Sequence, residues 1–416
     1  MDRLPGFRDF YPEPVPHPDL WSADLRNYLF EKWRATARSY GFREYDGPPL
    51  ESLELITTKS GEEIVGQLYN FTDKGDRPVA LRPEMTPTLA RMVAAHERNY
   101  RKPIKWFAIP QLFRYERQQR GRLREHYQLN ADLFGETDPA ADAELIALLI
   151  DVLRALNLTS NDFHIRLSSR QAWQQFYDRK CAGQDKAYEF FQVVDKLERE
   201  DPAQSDAQLQ RLGFTLTEVR DFIQKAQPTA ELSAILANLS ARGLADFVTI
   251  DYNVIRGLAY YTGVVFEAFD RQSRFRAIAG GGRYDNLVKL ISGGKVDLPA
   301  LGFGLGDVVL TELLKDRKLL PTCNPGVDVF CLIEEESRRP DTLRLIQELR
   351  QAGASVEYSL TPARSEKQFK RALECKARFT ARLTAAPDGS QWIQAKNLSS
   401  REERSLDLPG FIAWLG

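Results

Sequence analysis

Residues 105–134 read KWFAIPQLFRYERQQRGRLREHYQLNADLF. Residues 105–115 and 126–134 carry strand-like apolar patterns, and a polar, glycine-containing stretch separates them. The pattern predicts an antiparallel hairpin with a long tip. Downstream, Ala140 to Leu156 predicts a strong helix. Upstream, Val79-Ala80-Leu81 ends in Arg82-Pro83, and Thr86 to Ala95 predicts another helix. Residues 20–38 predict an amphipathic helix, because Trp21, Leu25, Leu29, Trp33 and Ala37 recur every four residues, with Gly41 as its stop. Gly47-Pro48-Pro49 breaks the chain before an extended segment.

Residues 170–245 change character: they are rich in Gln, Glu, Asp, Lys and Ala, with helical spacing and a capping box at Thr215 and Glu218. They predict a helical insertion. Strands are expected at Phe247–Tyr252, Val264–Phe269 and Phe275–Ala279, before Gly280-Gly281-Gly282-Arg283-Tyr284-Asp285. Asn324-Pro325-Gly326 is a linker signal. Beyond it, a strand (Val327–Ile333), a helix (Pro340–Ala352), a strand (Ser355–Tyr358) and a basic helix (Ser365–Cys375) suggest a small α/β domain.

The chain has 416 residues, enough for two or three domains at roughly 150 residues each. Hydrophobic content of 43% and charged content of 28% fit a globular protein and exclude a disordered, collagenous or disulfide-framework chain. The longest apolar-rich run, Leu145 to Leu156, is broken by Asp151 and Arg154, so no membrane partner is expected. The first residues show no apolar signal core, and a cytoplasmic location is expected. Net charge is −1, so a nucleic-acid partner can show only in local patches. Four cysteines without a C-x-x-C pair and four scattered histidines argue against a metal site.

Local chemistry is richer. Arg101 to Arg124 holds eight basic residues and one acid, a net +7 that suits phosphate groups; charge alone fits a solvated loop equally well. Arg114 tips the balance, since it sits inside an apolar strand between Phe113 and Tyr115. Gln128, Asn130 and Asp132 share one strand face. With Glu84 and Thr86 they could hold an ammonium or imidazole, or form a structural hydrogen-bond network. Arg256-Gly257-Leu258-Ala259-Tyr260-Tyr261-Thr262-Gly263 places an arginine and two tyrosines on a turn. Gly280–Gly282 and the spaced Gly302, Gly304 and Gly306 would let a ligand lie against backbone.

Together these segments resemble the histidyl-tRNA synthetases of class II. The most specific are Phe113–Arg117 with Gly121-Arg122 (motif 2), Arg256–Gly263 and Ala279–Asp285. Leu81–Thr86 is similar to the family too, and residues 20–51 resemble motif 1, with Pro49 at the dimer-interface proline. The resemblance implies an α+β fold: an antiparallel catalytic sheet flanked by helices over residues 1–320, a helical insertion at about 170–245, and a C-terminal α/β anticodon-binding domain at 325–416. It implies a homodimer acting on L-histidine, ATP with Mg2+, and tRNA(His). Arg256 and Arg114 resemble the catalytic arginines. Glu116 and Arg122, with Arg114, resemble the ATP contacts. Glu84, Thr86 and Gln128 resemble the ring around the histidine ammonium, Met85 beside them is also implied to bind histidine, and Asp132, Tyr260 and Tyr261 resemble the imidazole readers. No side-chain nucleophile is needed.

The sequence departs from the family at Val309, where motif 3 usually has an arginine, with Arg122 or Arg124 as candidate replacements. Ala259 stands for an aspartate, Asp132 for a glutamate, and Gln118 for a common proline. A rival reading is a non-catalytic histidine sensor, similar to the regulatory subunit of ATP phosphoribosyltransferase. A synthetase for proline, threonine or glycine would leave Arg256–Gly263 unexplained. In the C-terminal domain, Lys367, Lys370 and Arg371 fall on one face of the basic helix, with Phe369, Ala372 and Leu373 on another; that face or the sheet beside it is expected to touch tRNA, and charge alone also fits a solvated helix.

Overall fold

The computed structural model describes residues 3–17, 19–60, 62–115, 123–184, 186–198, 200–256, 260–323, 326–385 and 391–416. Chain contacts divide it into two compact units: residues 3–10 with 17–321, and 11–16 with 322–416.

The first unit is built on a nine-stranded sheet. Its strands are β1 Arg43–Glu44, β2 Ile104–Ala108, β3 Gln111–Phe113, β4 Glu125–Phe134, β5 Phe163–Ser169, β6 Val248–Ile250, β7 Val264–Asp270, β8 Ala279–Arg283 and β9 Ala300–Gly306. The order is β6-β5-β7-β8-β9-β4-β2-β1, and β3 also pairs with β4. All pairings are antiparallel except β5–β6 and β1–β2 at the two edges. The hairpin of residues 105–134 is present, but its first arm is interrupted at Ile109-Pro110. Proline has no N–H to give to the ladder, so β2 and β3 pair separately with β4. The strand expected at Phe275–Ala279 lies instead over Ala279–Arg283. Glycine is a poor strand former in isolation; here tertiary packing leaves no space for side chains.

Helices cover the sheet. α1 (Ala23–Ser39) starts three residues later than its apolar spacing suggests. The reason is Ser22, whose hydroxyl accepts the Leu25 N–H at 3.1 Å and caps the first turn. Leu29, Trp33 and Ala37 are buried as expected. α2 runs Thr86–His96, and α3 (Pro139–Arg154) is apolar on nearly every side. α3 shares a core with Leu129, Ala131 and Leu133 of β4 and with Leu301, Phe303 and Leu305 of β9. Between β5 and β6 come five helices: α4 Arg170–Cys181, α5 Ala187–Lys196, α6 Pro202–Arg211, α7 Leu216–Lys225 and α8 Ala230–Ala241. The Thr215–Glu218 capping box is formed. α9 (Asp307–Asp316) follows β9 directly.

The amino-terminal segment is locked to this sheet by a buried arginine. Arg8 donates from Nε to Glu125 at 2.6 Å and from Nη1 to Asp307 at 2.8 Å. The other oxygen of Asp307 accepts the Tyr127 N–H at 3.0 Å, and the Arg8 guanidinium stacks 4.5 Å from the Trp21 ring centre.

The second unit carries the sheet order β11-β10-β12-β13-β14, with β10 Val329–Cys331, β11 Val356–Tyr358, β12 Phe379–Ala385, β13 Gln391–Asn397 and β14 Glu403–Leu406. Its helices are α10 Arg339–Gln351, α11 Ser365–Glu374 and α12 Leu408–Leu415. α11 buries a polar side chain beside an apolar one. Gln368 and Ala372 are buried, while Phe369 and Leu373 are 37% and 54% exposed. The Gln368 amide is fully used: it accepts the Ile333 N–H at 2.8 Å and donates to the Ile333 and Ala363 carbonyls at 2.6 and 2.7 Å. A side chain that satisfies loop backbone so completely can be buried in place of an apolar one. Among the described residues of the chain, no helix is long and apolar enough to cross a membrane.

Replacing Arg8 by Met leaves Glu125 and Asp307 buried without their cation. We expect a loss of about 3–5 kcal/mol at neutral pH. Burial already raises the Asp307 carboxyl above its usual value, with Arg8 opposing. A carboxyl raised in the folded state destabilises the fold above that value and is relieved as pH falls through it. The deficit of Arg8→Met, measured by urea unfolding, should therefore shrink from neutral toward acid pH.

Candidate active site

On the sheet face opposite α3, the strand register lines up polar residues and glycines. Asp132 lies opposite Gly302 and Asn130 opposite Gly304; Gly304 and Gly302 in turn lie opposite Gly280 and Gly282. Glu267 of β7 lies opposite Gly280. Directly opposed residues point to the same face. The two central strands thus offer bare backbone, with Glu267 on one side and Gln128, Asn130 and Asp132 on the other. The result is a small polar cleft, partly open to solvent, also lined by Glu84, Thr86, Arg114, Arg256, Tyr260, Tyr261 and Tyr284.

The glycines are there for space. A Cβ on Gly280 would lie 1.5 Å from Nη1 of Arg256. Cβ atoms on Gly302 and Gly304 would meet Asp132 Oδ1 at 2.0 Å and the Gln128 carboxamide at 2.5 Å. Arg256 therefore lies across the sheet floor. Its Nη1 donates to Glu267 at 3.0 Å, and its Nε is buried with no hydrogen-bond partner among the described residues. Burial works against its charge, but Tyr261, Glu267 and Tyr260 together hold its pKa above the usual arginine value. Its backbone has φ of +52°, a left-handed conformation uncommon outside glycine.

Arg114 reaches the same cleft from the end of β3. The strand stops at Phe113, and Tyr115 is exposed, so Arg114 is not held within a strand. Instead its Nε donates to the Pro83 carbonyl at 3.0 Å, and its N–H to Arg124 at 2.9 Å. Glu84 and Thr86 come from the turn into α2. Met85 is fully buried and does not line the cleft; its sulfur lies 3.5 Å from Nη1 of Arg82.

Tyr284, which follows β8, donates its hydroxyl to Asp132. Burial raises the Tyr260, Tyr261 and Tyr284 phenols, so all three stay protonated. The Tyr260 and Tyr261 rings lie 4.5 Å apart. Arg283 beside them is structural: it is buried against Asp142 and donates to the Glu136 carbonyl at 2.8 Å. Burial lifts the Asp142 carboxyl to about 6, although Arg283 opposes this.

The sequence reading singled out neither Tyr284 nor Glu267 as a site residue. Both left signals: Tyr284 follows the triple glycine, and Glu267 interrupts the apolar strand Val264–Phe269. Glu116 and Arg122 lie outside the described residues, as does Ala259. Val309 packs half-buried against the core beneath α9. Arg124 stacks its guanidinium 4.3 Å from the Tyr115 ring centre. A larger groove in the helical insertion pairs Lys180 with Glu218 and Lys225 with Asp221 among its lining residues.

Chemically, the cleft sets two fixed cations over a backbone floor, beside a carboxylate and phenols at one end. Such a site suits an anion in its middle and a ligand with ring N–H and N groups at its end.

The profile of the family described as histidyl-tRNA synthetase matches residues 20–307. The histidine–tRNA ligase of Opitutus terrae is 42% identical, over 97% of this chain and 95% of that protein. The chloroplastic and mitochondrial histidine–tRNA ligase of Arabidopsis thaliana is 37% identical, over 97% of this chain and 84% of that one. The crystal structure of histidyl-tRNA synthetase from Nostoc sp. PCC 7120 superposes with a TM-score of 0.76 at 23% identity, covering 97% of both chains, and so shares the fold. With its profile matched across the sheet that holds the cleft, and relatives aligned nearly end to end, the chain belongs to the histidyl-tRNA synthetase family.

Proposed function

We propose that this chain activates histidine with ATP and transfers it to the 3′ end of tRNA(His). The observation that carries the reading is one cleft in which Arg114, Arg256, Asp132 and the tyrosines converge over glycine backbone. Histidine's carboxylate oxygen attacks the α-phosphorus of ATP; an O–P bond forms, the bond to the bridging oxygen breaks, and pyrophosphate leaves. Two anions approach, so positive charge must be in place before the reaction. Arg256 and Arg114 supply it, Arg256 held by Glu267 and Arg114 by the Pro83 carbonyl. A terminal ribose hydroxyl of tRNA then attacks the adenylate carbonyl and releases AMP, and no side-chain nucleophile takes part.

At the far end, Asp132, oriented by the Tyr284 hydroxyl, reads one imidazole nitrogen, and the Tyr260–Tyr261 pair reads the other side. Glu84, Thr86 and Gln128 surround the ammonium group. A site that pairs both ring nitrogens rejects isosteres that lack one, because a buried partner would go unsatisfied. Arg114, Glu116 and Arg122 are the ATP contacts in this proposal. Mg2+ would accompany the triphosphate in this proposal; among the described residues, no group of three or more His, Cys, Asp or Glu could hold a metal ion. Cytoplasmic location, homodimer assembly through the segment around Pro49, and anticodon binding by the second unit complete the proposal.

The rival, a histidine sensor, has Val309 in its favour, because no guanidinium can act from that position. Arg114 and Arg256 in one cleft, and the folded second unit, count against it. Histidine-dependent pyrophosphate exchange followed by charging of tRNA(His) decides: we expect both, and histidine binding without exchange would establish the sensor.

Arg256→Ala should cut the adenylation rate by about 100-fold or more. A near-normal rate would overturn its assignment. Asp132→Asn should raise the Michaelis constant for histidine; no change would mean the imidazole is read elsewhere. Gly280→Ala should fold, since the clash falls on the far end of a flexible side chain, yet match Arg256→Ala in rate. Gly306→Ala, with open space at its Cβ, should behave as wild type in the same exchange assay.

A further inference from the structure

Arg170 opens α4, the first helix of the insertion, and takes no part in the proposed reaction. It is 6% exposed, yet among the described residues no carboxylate lies within hydrogen-bonding or ion-pair distance of it. Its guanidinium instead donates from Nη1 to the carbonyls of Ile255 and Arg256, at 3.3 and 3.2 Å. Its backbone N–H donates to the Gly263 carbonyl at 2.9 Å. The guanidinium is held from behind by the Phe191 ring of α5, whose centre lies 3.7 Å from Cζ.

These contacts have one geometric consequence. Arg256, Tyr260 and Tyr261 all line the cleft, and β7 begins soon after them at Val264. Arg170 thus holds the backbone at Ile255 and Arg256 and again at Gly263, just ahead of β7. The grip falls on the residue with the left-handed backbone. A strained conformation persists only where its surroundings over-determine it. Burying an arginine on neutral carbonyls is costly, and burial lowers the Arg170 pKa to about 10.

We infer that Arg170 is a positioning residue for the reaction: by holding the Ile255 and Arg256 carbonyls it fixes the backbone from which the Arg256 guanidinium reaches the cleft. This rests on the assignment of Arg256 above. It also gives the insertion a part in the adenylation step, because α4 and α5 together build the clamp.

The test is a double-mutant cycle read by histidine-dependent pyrophosphate exchange, with thermal melting as the check on folding. Arg170→Met removes the donors and keeps the apolar stem. It should lower kcat on the order of 10- to 100-fold, as an ångström-scale misplacement of a reacting group does, with a smaller change in the Michaelis constant for ATP. Arg170→Lys keeps one cationic donor and should recover part of that loss. In the Arg256→Ala background, Arg170→Met should lower the residual rate by less than about 3-fold, because the group it positions is gone. Equal losses in both backgrounds, or a normal kcat for Arg170→Met, would overturn the inference. A near-normal rate for Arg256→Ala alone would overturn the assignment beneath it and the inference with it.

Discussion

The site depends on one close approach: a guanidinium lying directly on a glycine backbone. Nη1 of Arg256 occupies the place where Gly280 would carry a side chain. From there it meets Glu267, which is one strand over and on the same face. The ion pair is largely withdrawn from water, where an opposite charge counts for more than it does at the surface. It keeps the arginine charged and stationary before any substrate arrives, which is what electrostatic catalysis requires. Everything else about the cleft follows from making room for this contact. The glycines of β8 and β9 provide the floor, and the antiparallel register puts Asp132 and Gln128 at its rim.

The two faces of the same strands do different work. Odd-numbered residues of β4, Leu129 to Leu133, pack into the core with α3, while Gln128, Asn130 and Asp132 face the cleft. Alternation along a strand makes this division possible. Neither face tolerates a one-residue slip, since that would put carboxylates in the core and leucines on the ligand. Arg8 strengthens the register from outside: it bridges the start of β4 and the start of α9, which follow one another only across the sheet.

Most of the architecture was legible in the chain. Apolar spacing located α1, the helices expected near Thr86, Ala140 and Pro340 are present as α2, α3 and α10, and the capping box at Thr215 marked α7. The misses share a cause. Pro110 split a strand because a ladder needs every N–H. The triple glycine formed a strand against its propensity because a neighbouring arginine and packed rings took the side-chain space. On α11, the hydrogen-bonding needs of residues 333 and 363 bury Gln368, while the apolar Phe369 and Leu373 stay exposed, which hydrophobicity alone does not show.

The order of residues alone determined which groups exist and how they repeat: two arginines with distinctive neighbours, a tyrosine pair, polar side chains on alternate positions, and glycines at regular intervals. Those are local properties, written in period and composition. Only the folded chain decided which of these groups meet. Arg114 and Asp132 share one hairpin, but Arg256 lies more than a hundred residues further on, and no local rule links it to them. Their convergence is set by strand register and by the carbonyls and carboxylates that hold each side chain. Glu267 and Arg170 matter only through contacts made across the sheet and its insertion, which periodicity cannot record.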